Sequence, residues 1–85
     1  MDREGIFAVV KRNIIRILPD LPPDAITNDA SLTDLGANSI DRVEVATYSM
    51  EDLEIVIPRV ELRTASNIGG LVDVLYAGMQ RNSNG

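Results

Sequence analysis

The chain has 85 residues, 45% of them apolar, which is enough for one small domain with its own core and too much for a disordered chain. It carries 13 acidic and 8 basic residues, and this net charge of −5 argues against nucleic acid as a partner. The charge has two interpretations: it keeps a small protein soluble, or it attracts partners with basic patches.

Further classes of protein are excluded, because the chain lacks the residue types or the apolar runs that they need. Without cysteine or histidine it has no disulfide framework, no thiol and no Ser/His pair for nucleophilic catalysis. Its apolar runs are only a few residues long, so no membrane span is expected. The N-terminus lacks a basic region followed by an apolar stretch, so no secretory signal is expected. We expect a cytoplasmic monomer that binds neither a membrane nor a metal.

Apolar residues at helical spacing predict a first helix over roughly residues 3–18, which Pro19 ends. Residues 19–38 follow as a long loop, and about twenty residues without structure are unusual in a compact domain and often functional. Leu32 and Leu35 are expected to hold this loop against the core. The stripe of the first helix comprises Ile6, Val10, Ile14 and Ile17, widened by Phe7 and Leu18.

A second helix is predicted from about Ser39 to Leu53, with Asn38 or Ser39 as its cap and Asp41 in the first turn. It is apolar on two sides, and a surface helix needs only one apolar stripe. One stripe comprises Ile40, Val43, Thr47 and Met50. The other comprises Val45, Ala46, Ser49 and Leu53. Glu44, Glu51 and Asp52 argue against full burial, but the pattern does not decide which stripe faces the core.

The remainder predicts an extended connector over residues 55–58 and a short helix over residues 59–63. Ser66 or Asn67 caps a last helix, in which Gly69-Gly70 costs roughly 1 kcal/mol per glycine but permits close packing. The inner face of the last helix comprises Ile68, Leu71, Val72, Leu75 and Met79.

These elements predict an all-α fold, a small four-helix bundle of three long helices and one short helix with a long loop after the first. One domain spans residues 1–80, and residues 81–85 are expected to be a frayed tail.

Ser39 is the candidate functional residue. A glycine-containing loop leads directly into the helix that Ser39 begins, so its hydroxyl is presented where orphan N–H groups and the helix dipole favour a negative group. A serine displayed without a base indicates an attachment point for a phosphate ester and not a nucleophile.

With these features the chain resembles an acyl carrier protein. Its segment Gly36-Ala37-Asn38-Ser39-Ile40-Asp41 is similar to the Gly-x-Asp-Ser-Leu signature of that family, and Val43-Glu44-Val45 continues the pattern. Ile57-Pro58 and Asn67-Ile68 lie at the family's spacings from the serine, and the resemblance covers residues 5–78.

The resemblance implies that a phosphopantetheinyl transferase attaches 4′-phosphopantetheine from coenzyme A to Ser39. The arm's thiol would carry acyl groups as thioesters, so the protein would be a substrate of partner enzymes, with no catalytic residue of its own. It also implies that Val45, Ala46, Ser49 and Leu53 face the core. The implied partner-binding residues are Asn38, Ile40, Asp41, Arg42, Val43, Glu44, Thr47 and Glu51.

Two residues depart from the common family pattern. Asn38 replaces the usual Asp before the serine, and Arg42 puts a cation one turn after it. Arg42 is either a solvated arginine paired with a nearby acid or a specificity element that attracts one partner or repels others.

Four segments together resemble the free-standing donor carriers of polyketide β-branching cassettes. They are Asn38-Ser39-Ile40-Asp41-Arg42, Met50-Glu51-Asp52-Leu53, Ile57-Pro58-Arg59-Val60-Glu61-Leu62 and Asn67-Ile68-Gly69-Gly70-Leu71-Val72-Asp73. Such a carrier holds an acetyl group that a 3-hydroxy-3-methylglutaryl-synthase-like enzyme adds to a β-ketone on a second carrier. The implied further partners are an acyltransferase and a ketosynthase-like decarboxylase that converts malonyl to acetyl. Two alternatives remain: a discrete carrier for fatty-acid, ordinary polyketide or aminoacyl chemistry, and an unmodified helical interaction module.

Overall fold

The computed structural model describes residues 1–83, which form four α-helices and no strand. The helices are α1 (Arg3–Ile17), α2 (Ser39–Leu53), α3 (Arg59–Leu62) and α4 (Ile68–Ser83). The predicted all-α bundle of three long helices and one short helix is confirmed. Helix α4 includes residues 81–83 of the predicted tail, residues 84 and 85 lie outside the described residues, and fraying of this end stays a prediction.

Helix α1 begins and ends where local chemistry requires it. The Asp2 carboxylate accepts a hydrogen bond from the Gly5 N–H at 2.9 Å and caps the first turn. Leu18 leaves the helix with φ −121°, one residue earlier than predicted, because the residue before a proline avoids the helical conformation. Among residues 1–83, no helix is both long and apolar enough to cross a membrane.

The core lies between the inner faces of α1, α2 and α4. Each fully buried aliphatic side chain there stabilises the fold by roughly 1.5–3 kcal/mol relative to exposure. The predicted inner residues of α4 are buried, except Met79, which is partly buried against the cluster. The side chains with no exposed surface are those of Ile6, Val10, Ile14, Val45, Ser49, Ile68 and Leu75.

The long loop predicted between α1 and α2 is confirmed, and one short element interrupts it. A 3-10 turn covers Pro23–Ala25, and Leu32 and Leu35 pack partly buried against the core as predicted. The start of α4 also holds this loop in place. Its first N–H groups have no acceptor inside the helix, and the loop supplies carbonyl groups for them.

Two hydrogen bonds join this loop to the start of α4. The Ile68 N–H donates to the Ala30 carbonyl and the Gly69 N–H to the Asn28 carbonyl, both at 2.9 Å. A Cβ on Gly69 would lie 3.1 Å from the same Asn28 oxygen, so the glycine allows the backbones to approach closely. This agrees with the close packing predicted for Gly69. The two hydrogen bonds hold the loop that leads to Ser39.

Candidate attachment site and partner surface

The turn before Ser39 is closed by backbone hydrogen bonds. The Gly36 N–H donates to the Thr33 carbonyl at 3.0 Å, and the Ala37 N–H donates to the Leu32 carbonyl at 2.9 Å. Gly36 has φ +99°, a conformation that L side chains rarely adopt, so a glycine is required at this position. Ala37 is buried, which anchors the chain immediately before α2 begins.

Asn38 and Asp41 cap α2 reciprocally. The Asn38 Oδ1 accepts from the Asp41 N–H at 2.8 Å, and the Asp41 carboxylate accepts from the Asn38 N–H at 3.2 Å. The sequence did not decide whether Asn38 or Ser39 caps the helix, and in the structure the cap is Asn38. The Ser39 hydroxyl is therefore not used to hold the helix end.

Ser39 is exposed and is the first residue of α2. The first backbone hydrogen bond of the helix runs from the Arg42 N–H to the Asn38 carbonyl at 3.0 Å, so the N–H groups of Ser39 and Ile40 have no acceptor inside the helix. An exposed hydroxyl beside two orphan N–H groups fits a phosphodiester, because both the N–H groups and the helix dipole stabilise negative charge there.

The two apolar stripes of α2 have different environments. Val45 and Ser49 have no exposed surface, whereas Ile40 is 68% exposed and Val43 is 56% exposed. The orientation implied by the family resemblance is thus confirmed, and Met50 packs partly buried against the core. We call the exposed pair Ile40 and Val43 the apolar patch.

None of the eight predicted partner-binding residues is buried. Asp41 is engaged in the cap, which indicates a structural role for its carboxylate. The exposed members are Asn38, Ile40, Arg42, Val43 and Glu51, and the partly exposed members are Asp41, Glu44 and Thr47. The structure thus brings Ser39, the apolar patch and acidic residues of α2 together on the outside of one helix.

A buried polar cluster between α1 and α2 was missed in the sequence. The Asn13 side-chain amide is buried and donates to the Ser49 hydroxyl at 3.2 Å and to the Asp52 carboxylate at 3.0 Å. Arg12 donates to the same carboxylate at 3.0 Å. The signal was present, because Asn13 lies at helical spacing from Val10 on the inner face of α1.

Hydrogen bonds from Asn13 and Arg12 hold the pKa of Asp52 below its ordinary value of 3.8. Both donors stabilise the ionised form, and desolvation, which opposes them, is a smaller effect than either hydrogen bond. The Arg16 guanidinium lies 4.6 Å from the Tyr48 ring centroid, which adds a cation–π contact between the same two helices.

A small helical bundle that displays an unused serine hydroxyl at the start of its second helix has the features of a carrier domain. The family description "Phosphopantetheine attachment site" matches residues 8–75, most of the chain. The chain therefore belongs to the phosphopantetheine-attachment family of acyl carrier proteins, and its prosthetic group is 4′-phosphopantetheine.

Two more specific similarities extend over nearly the whole chain. The polyketide biosynthesis acyl-carrier-protein AcpK of Bacillus subtilis (strain 168) is 44% identical over 80 residues, which cover 94% of this chain and 98% of the relative. A chain from the crystal structure of the curacin biosynthetic pathway HMG synthase in complex with acetyl donor-ACP superimposes with a TM-score of 0.83 at 38% identity. That match covers 91% of this chain and 99% of the other.

Proposed function

We propose that this carrier holds its phosphopantetheine arm on Ser39 and donates an acetyl group to a 3-hydroxy-3-methylglutaryl-synthase-like enzyme during polyketide β-branching. The attachment rests on the exposed Ser39 hydroxyl, which no cap or hydrogen bond uses among the described residues. The donor role rests on the near full-length similarity to a chain crystallised as part of an HMG synthase and acetyl donor-ACP complex.

In this proposal the chain's own residues position Ser39 and present the arm to partner enzymes, and those enzymes perform the chemistry. The arm supplies a thiol on which an acyl group is held as a thioester. Asn38 and Asp41 hold the start of α2, so that Ser39 stands clear of the core for a phosphopantetheinyl transferase. The apolar patch then provides the contact for a partner, and the acidic residues Glu44 and Glu51 complement its basic side chains.

The acetyl group has to be supplied by other enzymes. We place an acyltransferase and a ketosynthase-like decarboxylase before the synthase-like enzyme, which together load malonyl and convert it to acetyl. The protein itself is not an enzyme in this scheme, and it works in the cytoplasm as a monomer.

Attachment is tested by intact mass after incubation with coenzyme A and a phosphopantetheinyl transferase. The wild type should gain one arm, and Ser39→Ala should gain none. Because Asn38 and not Ser39 caps α2, Ser39→Ala should change the free energy of unfolding by less than about 0.5 kcal/mol. A full arm on Ser39→Ala would contradict the assignment, and an unmodified wild type would indicate an interaction module.

The donor role is tested by acetyl transfer through a synthase-like enzyme to a β-ketoacyl acceptor carrier. The wild type should donate well, whereas an ordinary fatty-acid carrier should donate poorly. Arg42→Glu should still accept the arm but donate poorly, because it reverses the potential beside the attachment serine. Equal transfer from all three proteins would refute the specificity, and no transfer from the wild type would favour a discrete extension carrier.

A further inference from the structure

Arg42 is an isolated cation beside the attachment serine. It is the only basic residue between positions 17 and 58, and its side chain is exposed. Residues three apart on a helix are neighbours, with Cβ atoms about 5–6 Å apart, so Arg42 and Ser39 lie next to each other on the surface of α2. Helical side chains also lean toward the helix N-terminus, which directs Arg42 toward Ser39.

Among the described residues, no carboxylate forms an ion pair with this guanidinium. Its neighbours three and four positions away on α2 are Asn38, Ser39, Val45 and Ala46, and none of them is charged. The Asp41 carboxylate is engaged with the Asn38 N–H in the cap. Within residues 1–83 Arg42 forms no ion pair, so the interpretation as an arginine paired with a nearby acid has no support.

We propose that the Arg42 guanidinium pairs with the phosphodiester on Ser39 and thereby positions the arm. This inference rests on the proposed attachment of the arm at Ser39. A guanidinium presents N–H groups in a planar fork that matches phosphate oxygens, so Arg42 suits this pairing better than a lysine would.

The pairing gives the arm a direction. At about 100° per residue, Arg42 lies on one side of Ser39 around the helix and Val43 on the other. An arm held toward Arg42 leaves α2 away from the apolar patch of Ile40 and Val43. The patch then stays uncovered for a partner while the thioester is carried beside it, and Arg42 acts as a positioning residue.

Asn38 contributes because it is neutral. Position 38 is the N-cap just outside α2, and an aspartate there would place a negative carboxylate beside the start of the helix, where it can pair with the Arg42 guanidinium. Such a pair would withdraw the guanidinium from the phosphate. Asn38→Asp keeps a good N-cap side chain and so changes the competition for Arg42 with little effect on the helix end.

The test uses the arm-loaded protein, its phosphorus NMR resonance and the Arg42 side-chain N–H signal. On loading of the wild type, the Arg42 N–H signal should move. As salt is raised and weakens the pair, the phosphorus resonance should move toward its position in Arg42→Gln. Arg42→Gln should displace the phosphorus resonance and abolish most of its salt dependence, and Arg42→Lys should restore part of both. Arg12→Gln is the charge-matched control, because Arg12 pairs with Asp52, about 20 Å along α2 from Ser39.

The variant Asn38→Asp supplies an independent comparison. The change in phosphorus resonance caused by Arg42→Gln should be smaller in the Asn38→Asp background than in the wild type. If the phosphorus resonance and its salt dependence were the same in the arm-loaded wild type and the arm-loaded Arg42→Gln variant, the pairing would be overturned and the carrier function left intact. A wild type that takes up no arm in the mass measurement would overturn both.

Discussion

Val43 and Val45 are chemically identical and two positions apart on α2, yet their environments are opposite. Val43 is 56% exposed and Val45 has no exposed surface. Successive helical positions are rotated by about 100°, so two positions move a side chain from the solvent side to the core side. The same substitution at these two sites therefore separates a role in partner contact from a role in packing.

Val43→Asp should leave the free energy of unfolding within about 0.5 kcal/mol of wild type and weaken binding to a synthase-like partner, because it puts a charge into the apolar patch. Val45→Asp is the matched control and should lose several kcal/mol or fail to fold, because it buries an unpaired charge. Denaturant unfolding and partner titration measure both effects. If Val43→Asp were the more unstable of the two, the exposed stripe would have been assigned to the wrong side.

At the scale of the elements, α1 and α2 are joined by polar contacts as well as by aliphatic packing. They run antiparallel, since Arg12 pairs with Asp52 while Arg16 lies over Tyr48 nearer the start of α2. The buried Asn13 amide bridges Ser49 and Asp52, so that one buried polar side chain has acceptors on the facing helix. Since a buried amide without partners would cost free energy, this cluster specifies how α1 sits along α2.

The lowered pKa of Asp52 predicts how this contact responds to acid. A carboxyl whose pKa is lower in the folded state than in the unfolded state stabilises the fold fully above its unfolded value of 3.8. That contribution should be lost as the pH falls from above 3.8 through the folded-state pKa. Thermal unfolding from about pH 6 to about pH 2.5 should show a stability difference between wild type and Asp52→Asn that shrinks toward low pH.

Glu54→Gln is the control for this measurement. Glu54 is an exposed carboxylate two residues after Asp52, and it forms no ion pair among residues 1–83. This variant keeps the Asp52 contacts and should retain the acid-dependent loss of the wild type. A wild-type to Asp52→Asn difference that is independent of pH would show that the Asn13 and Arg12 hydrogen bonds do not favour the ionised carboxylate.

At the scale of the whole molecule, charge is separated along the chain. Arg3, Lys11, Arg12 and Arg16 lie on α1, whereas the stretch from the long loop to the end of α2 is strongly acidic, with Arg42 as its only base. Because α1 runs antiparallel to α2, its N-terminus lies at the opposite end of the bundle from Ser39. A field of this kind orients an approaching basic partner toward the acidic helix.

Reversing Glu44 and Glu51 to Lys should slow association with a basic partner more than it speeds dissociation, because the partly and fully exposed acids act mainly on the encounter. Raising the salt concentration should reduce the wild-type advantage, since exposed charges are screened over about 10 Å at 0.1 M. Stopped-flow association at several salt concentrations measures this, and a salt-independent wild-type rate would contradict it.

The single reversals Glu44→Lys and Glu4→Lys provide the matched comparison. Both change the net charge equally, but Glu4 lies in the first turn of α1, at the end of the bundle away from Ser39. Glu44→Lys should therefore slow association more than Glu4→Lys does. Equal slowing would mean that net charge, and not the acidic surface of α2, controls the encounter.

Much of this protein followed from its sequence by itself. Helical spacing of apolar residues and local breaking signals predicted the bounds of α1, α2 and α3 to within one residue, because amphipathic periodicity and the helix-ending effect of proline act locally. Helix α4 was predicted too, although it continues into the expected tail. The position of Ser39 at the start of α2 followed in the same way. The family resemblance then added the phosphopantetheine arm, which the family comparison confirms.

Other features were decided only by the tertiary structure. The two stripes of α2 are both apolar, and only packing against α1 and α4 determines that Val45 and Ser49 are buried while Val43 is exposed. The order of the long loop and the Asn13 cluster likewise depend on partners distant in sequence, the N–H groups of α4 and the carboxylate of Asp52. Local periodicity cannot specify such contacts, because they exist only after the helices have come together and each buried polar group has found its partner.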